Sequence, residues 1–118
     1  MRRQSSKTVI CRGIRGERKR VPVEELSFRP SVYGIIIRKD RILLSRQWEG
    51  YDFPGGGIEL GETIDHALRR EVREETGVSV KTDRSLHCAD DFFIHPYSGR
   101  YFHAEAVSKI NTFADTAV

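Results

Sequence analysis

Between residues 70 and 78 the chain reads Arg-Glu-Val-Arg-Glu-Glu-Thr-Gly-Val, and residues 54–57 upstream read Pro-Gly-Gly-Gly. Glu71, Glu74 and Glu75 stand at i, i+3 and i+4, the spacing that brings side chains together on one side of a helix. At about 100° per residue, they share the side of Ile64, Ala67, Leu68 and Val72. Asp65, His66, Arg69, Arg73 and Thr76 take the opposite face. The wheel therefore predicts that all three glutamates turn toward the packed side. Carboxylates so close repel one another, and at the C-terminal end of a helix they also meet its negative pole. Such a cluster calls for a countercharge. Oxygen donors alone, with no Cys or His on that face, suit Mg²⁺. An ion-pair network with Arg70 and other arginines is the alternative reading.

The elements that must position these residues are legible in outline. Thr63 is suited to cap a helix over 64–76, Asp65 to its first turn, and Gly77 to a left-handed end. Residues 8–12 read as a strand. Gly13 and Gly16 mark a turn, and residues 17–23 return as its partner. Pro22 and Pro30 punctuate the chain. Residues 31–38 read as a buried strand, Lys39-Asp40 as a two-residue turn, and 41–46 as the next strand. Trp48 to Gly50 read as a loop, 51–53 as a short extended piece, and 54–57 as irregular, because glycines admit positive φ and a close backbone approach. Residues 79–86, 89–94 and 100–107 read as further strands, after which the pattern fades into a weakly structured tail over 108–118. Strands with one central helix define an α+β class, a mixed sheet with the helix packed on it. The reading is a single domain over 1–118, with a basic hairpin or arm at 1–27.

Composition narrows the function. The chain has 118 residues, 38% hydrophobic and 31% charged, which is enough for one modest domain. Its longest apolar run is Ile35-Ile36-Ile37, so nothing predicts a membrane span. Cys11 and Cys88 lack metal-ligand spacing and read as free thiols of a cytoplasmic protein. The Arg- and Ser-rich first residues also admit a transit peptide. The net charge of +3 is uneven: residues 1–30 hold nine Lys/Arg against three Glu. That basic arm admits RNA as a partner, a solvated hairpin being the plainer reading.

The residues named so far resemble the signature of the Nudix hydrolases. Gly56, Glu62, Arg70, Glu71, Val72, Glu74, Glu75, Gly77 and Val78 meet its positions in order. Phe53-Pro54-Gly55 and the strands between Ser31 and Arg46 resemble the family's approach to that box. The resemblance covers about residues 28–107. It implies an α/β/α sandwich and a Mg²⁺- or Mn²⁺-dependent, MutT-like pyrophosphohydrolase acting on a nucleoside diphosphate linked to another moiety. A nucleoside triphosphate-like substrate is the first expectation. By the same resemblance, Glu74, Glu75 and the main-chain carbonyl of Gly55 bind metal, and Glu71 binds metal or acts as general base. Arg70 orients the glutamates and Glu62 braces the loop–helix junction. Members of the family often add a later carboxylate; Glu105 is favoured here, with Asp90, Asp91 and Asp115 as alternatives.

Arg46, Trp48, Tyr51 and Phe53 are the expected substrate-binding residues, and Phe92, Phe93 and Tyr97 also offer rings to stack a base. Packing is the default role for these rings, and surface placement for His87, His95 and His103. Family domains usually continue to a final helix, and none is evident here, so the expectation is a shortened C-terminus with cover missing or supplied by a homodimer partner. Two other functions remain open: a catalytically silent nucleotide-binding module, and an RNA 5′-end pyrophosphohydrolase or RNA-associated protein.

Overall fold

A computed structural model of the chain describes residues 7–114. These form a mixed β-sheet with one helix, the α+β class that the sequence indicates. In chain order the elements are β1 (Thr8–Arg12), β2 (Arg18–Pro22), a 3₁₀ turn (Val23–Glu25), β3 (Leu26–Arg38), β4 (Arg41–Ile42), β5 (Ser45–Gln47), β6 (Gly50–Asp52), β7 (Gly55–Gly57), α1 (Ile64–Thr76), β8 (Val80–Ile94) and β9 (Tyr101–Phe113). The chain divides into two compact units, Met1–Arg29 with Asp90–Glu105, and Pro30–Ala89 with Ala106–Val118.

In the first unit, β1 and β2 form an antiparallel hairpin with Arg12 opposite Arg18. Gly16, at φ 89°, makes the turn that a side chain would strain. Arg12 pairs in parallel with Phe93 of β8. Val21 and Cys11 are buried, whereas Cys88 in the second unit is exposed; both cysteines are free thiols.

The second unit holds the main core of Val32, Ile36, Ala67, Leu68, Val72 and Val80. Helix α1 has the predicted bounds. The Thr63 side chain accepts from the His66 N–H at 3.1 Å, and Gly77 closes the helix at φ 76° with its N–H on the Arg73 carbonyl. Lys39 and Asp40 both take positive φ, the geometry of the tight turn joining β3 to β4. The wheel places Ile64 on the apolar stripe, yet it is 41% exposed. It belongs to the first turn of the helix, ahead of the buried Ala67 and Leu68.

Several elements differ from the sequence reading. Residues 55–57 are not irregular: they form β7, paired with Ser31, Val32 and Tyr33 of β3. A Cβ on Gly55 would fall 2.1 Å from the Val32 carbonyl oxygen. Here glycine serves close packing between backbones, not a loop. Strand β3 begins at Leu26 and runs through Pro30, whose carbonyl accepts from the Ile58 N–H at 3.0 Å while its ring nitrogen has nothing to donate. Residues 41–46 divide into β4 and β5, and residues 79–94 hold one strand in place of two.

The tail expected over 108–118 is ordered strand as far as Phe113. Lys109 in it pairs with Asp65 of α1, and Arg38 lies over the Phe113 ring at 4.9 Å. Asn111 is buried against Gly34, where a Cβ would come within 2.5 Å of its Nδ2. Polar residues obscured the strand: Lys109 is drawn in by Asp65, and Asn111 is buried with its side-chain amide unbonded among the described residues. Asp115 and residues 116–118 lie outside the described residues.

Leu68 is fully buried in the α1–sheet core. Leu68→Ala is predicted to cost about 2–5 kcal/mol, read as a lower urea midpoint at unchanged slope.

Candidate active site

The site in the second unit is assembled around α1, β5 and β7. Arg70 is its hub. Its Nε donates to Glu62 Oε2 at 2.6 Å and its Nη2 to Glu62 Oε1 at 2.8 Å, a two-pronged clamp. The same Nη2 donates to the Gly57 carbonyl at 3.2 Å. Nη1 lies 3.3 Å from Glu71 and 3.4 Å from Glu74. One guanidinium therefore ties the approach to the helix, the glycine strand and two box glutamates. Glu62 also accepts from the Glu59 N–H at 2.9 Å. The Arg70 clamp and this backbone bond pull its carboxyl down to about 2.

Glu75 meets the other side of the site. Its Oε1 accepts from Ser45 Oγ at 2.9 Å, Gln47 Nε2 at 3.1 Å and the Gly55 N–H at 3.3 Å. Glu71 lies between these two arrangements, its side chain 16% exposed. A Cβ on Gly56 would come within 2.5 Å of its carboxylate. Burial first, and then a hydrogen bond with Glu75, push the Glu71 carboxyl up to about 7, against the pull of Arg70. Glu71 is thus the carboxyl that holds a proton near neutrality while Glu62 stays charged.

The three glutamates do not all turn inward as the wheel predicts. Glu71 alone is partly buried; Glu74 and Glu75 are exposed residues. At 59% exposure the Glu74 side chain touches only the edge of the Arg70 cluster. Glu74 and Glu75 both lie in the last turn of the helix, which ends at Thr76. This makes the cluster accessible to a cation. Three carboxylates beside a strand without side chains suit a hard, oxygen-seeking divalent ion.

Sequence reasoning missed Ser45 and Gln47. They alternate along β5, so both reach Glu75, and that alternation was the available signal. Arg46 takes the opposite face of β5, where its guanidinium lies 5.8 Å from the ring of Tyr51, its cross-strand partner. Trp48 turns the β5–β6 hairpin at φ 46°, and Phe53 follows β6, its N–H on the Asp52 carboxylate at 2.7 Å. The expected substrate-binding residues thus cluster on and beside one hairpin. Gly55 meets Glu75 through its N–H.

Glu105 and Asp90 lie in the first unit with His103. Phe92, Phe93, Tyr97 and His95 also belong to that unit. His95 Nδ1 accepts from the Tyr97 and Ser98 N–H groups and so shapes a turn. His87 is exposed.

The fold and box together define a NUDIX domain. The model of that family matches residues 27–114, and the chain belongs to the family. Among similar proteins, an "RNA pyrophosphohydrolase" of Serratia proteamaculans is 40% identical over 68 residues, covering 54% of this chain and 38% of that protein. An "8-oxo-dGTP diphosphatase" of Buchnera aphidicola is 31% identical over 68 residues, covering 52% of each. The chain therefore spans about half or less of the length of these relatives. A MutT NUDIX hydrolase structure from Burkholderia pseudomallei matches with a TM-score of 0.56 at 26% identity, covering 75% of this chain and 70% of that one.

The raised Glu71 carboxyl predicts a pH signature of the metal-free protein. A folded value near 7, above the ordinary 4.5, means that the folded state binds this proton more tightly than the unfolded one. Stability from this source is complete below about pH 4.5 and is lost as pH rises through 7, by no more than about 3 kcal/mol. Glu71→Gln should remove that loss, seen as a smaller drop in urea midpoint between pH 5 and pH 8 than in the parent protein.

Proposed function

We propose that the chain hydrolyses a phosphoric anhydride in a nucleoside diphosphate linked to another moiety, with a nucleoside triphosphate-like molecule as the first substrate class. The observation that carries this reading is the placement of Glu71 and Glu75 against β7, with Glu74 joined to Glu71 through Arg70 and Glu71 titrating near 7. The printed activities of the two relatives, a pyrophosphohydrolase and a diphosphatase, support the same reaction class.

Glu74, Glu75 and the Gly55 carbonyl would hold Mg²⁺ or Mn²⁺. When bound, the ion supplies positive charge where phosphate oxygens become more negative. A water oxygen attacks one phosphorus, the bridging P–O bond breaks, and the other phosphate leaves with the bonding electrons. Glu71 takes the water's proton, a task matched to a carboxyl titrating near neutrality. Arg70 holds Glu71 and Glu74 in register with the glycine strand. Ser45, Gln47 and the Gly55 N–H fix the Oε1 of Glu75. Arg46, Trp48, Tyr51 and Phe53 contact the rest of the substrate.

A capped or triphosphate-ended RNA is the second substrate reading. Arg12, Arg18, Lys19 and Arg20 are exposed on β1 and β2, and Arg12 faces Arg18 directly across the strands. Like charges so placed favour an anionic partner. We place the protein in the cytoplasm, and a homodimer is consistent with the same function.

A hydrolysis panel with Mg²⁺ or Mn²⁺ tests both readings, using nucleoside triphosphates, oxidised nucleotides, sugar nucleotides, dinucleoside polyphosphates and 5′-triphosphate RNA. Metal-dependent release of a nucleoside monophosphate from one nucleotide class, or of pyrophosphate from the RNA, establishes the reaction. Silence across the panel from folded protein would leave a nucleotide-binding module. On the active class, Glu75→Gln should reduce turnover to background with the circular-dichroism spectrum intact, and Glu71→Gln should lower kcat by roughly a hundredfold or more. Unchanged turnover in Glu75→Gln would sink the assignment.

A further inference from the structure

In the first unit, the His95 N–H donates to the Arg100 carbonyl at 2.8 Å and closes the β8–β9 hairpin. Counting back along both strands puts Phe93 opposite Phe102, Phe92 opposite His103, and Asp90 opposite Glu105. The ring contacts agree with this register: Phe93 stacks on Phe102 at 5.3 Å, and Phe92 meets His103 at 4.6 Å. Asp90 and Glu105 are thus acidic residues directly across an antiparallel pair, a placement that favours a cation or proton between them. Their carboxyl groups contact one another, and Asp90 Oδ1 also lies 3.0 Å from His103 Nε2. One donor atom from each of the three residues lies within 4.8 Å of the other two.

His103 is held for such a task. Phe92 packs on its ring, and Phe28 meets it edge-on at 5.2 Å. These two contacts fix the imidazole plane and direct Nε2 toward Asp90. Asp90 is 57% exposed, so an ion reaches the cluster from solvent. Donors in a tetrahedral shell, each about 2.0–2.2 Å from Zn²⁺, stand a little over 3 Å apart. The Asp90–His103 separation already matches, and rotation of the exposed carboxylates brings in the third donor.

We propose that Asp90, His103 and Glu105 form a second divalent-cation site, separate from the box glutamates and different in its preference. One imidazole nitrogen and two carboxylate oxygens favour Zn²⁺ or Mn²⁺ over Mg²⁺, which takes oxygen donors. Three protein donors leave a four-coordinate ion one position for water or an anionic oxygen.

The test is Zn²⁺ uptake by the full chain, measured by equilibrium dialysis and elemental analysis in a Glu74→Gln/Glu75→Gln background that disables the box. Retained Zn²⁺ that is lost on adding His103→Ala or Glu105→Gln is the expected result. Zn²⁺ should also shift the His103 imidazole resonances in that background. Because His103→Ala removes a packed ring, Asp90→Asn serves as the second variant: it keeps the size of an exposed side chain and should also weaken uptake. If the background variant takes up no Zn²⁺, or if Asp90→Asn and Glu105→Gln bind as much as their parent, the three residues are an ion pair with an extra carboxylate and the proposal fails. Mg²⁺-dependent hydrolysis by the unmodified chain is scored separately, so failure of either reading is seen without the other.

Discussion

Everything in the box region depends on where one guanidinium sits. Arg70 is the cation against which Glu62, Glu71 and Glu74 are arranged, and it also holds the Gly57 carbonyl of the glycine strand. Without it, several carboxylates at the C-terminal half of a helix would repel one another beside the helix's own negative end. A lysine would carry the charge but not the fork that spans four partners. The arrangement distributes proton affinity unequally. Glu62 receives the two-pronged contact and stays ionised near neutral pH, whereas Glu71 receives one longer contact and is dominated by burial. Chemically identical side chains thereby acquire different tasks.

The second constraint is the thinness of β7. Three glycines let a helix and a strand approach the same short segment from two sides. Val32 limits one side and Glu71 the other. The close approach aligns the Gly55 N–H with Glu75 and the Gly57 carbonyl with Arg70. Backbone groups supply polarity where side chains would leave no room.

Much of this was legible in the sequence because local rules and chemistry coincide there. The cap at Thr63, the end at Gly77 and the spacing of Glu71, Glu74 and Glu75 each follow from helix geometry, and α1 has the expected bounds. The turn at Lys39-Asp40 was likewise readable. What escaped was set by distant partners. Three consecutive glycines read as a loop until β3 offers them a ladder. Residues 108–113 read as a tail until Asp65, Arg38 and Gly34 are placed against Lys109, Phe113 and Asn111. In the site, the wheel gives direction but not depth, so it predicts three inward glutamates where Glu71 alone is partly buried. Ser45 and Gln47 escaped because their role lies in a contact about thirty residues away in sequence.

The β5–β6 hairpin has two faces with separate duties. Ser45 and Gln47 anchor Glu75, while Arg46 and Tyr51 stack on the other side. Neighbouring residues of β5 therefore answer to different demands. Exchanges at 46 and 51 leave the anchoring hydrogen bonds untouched, and exchanges at 45 and 47 leave the outer surface nearly unaltered. A segment of this kind separates the freedom to vary from the need to stay fixed by alternation alone. It gives a small domain room to acquire new preferences without loosening its acidic cluster.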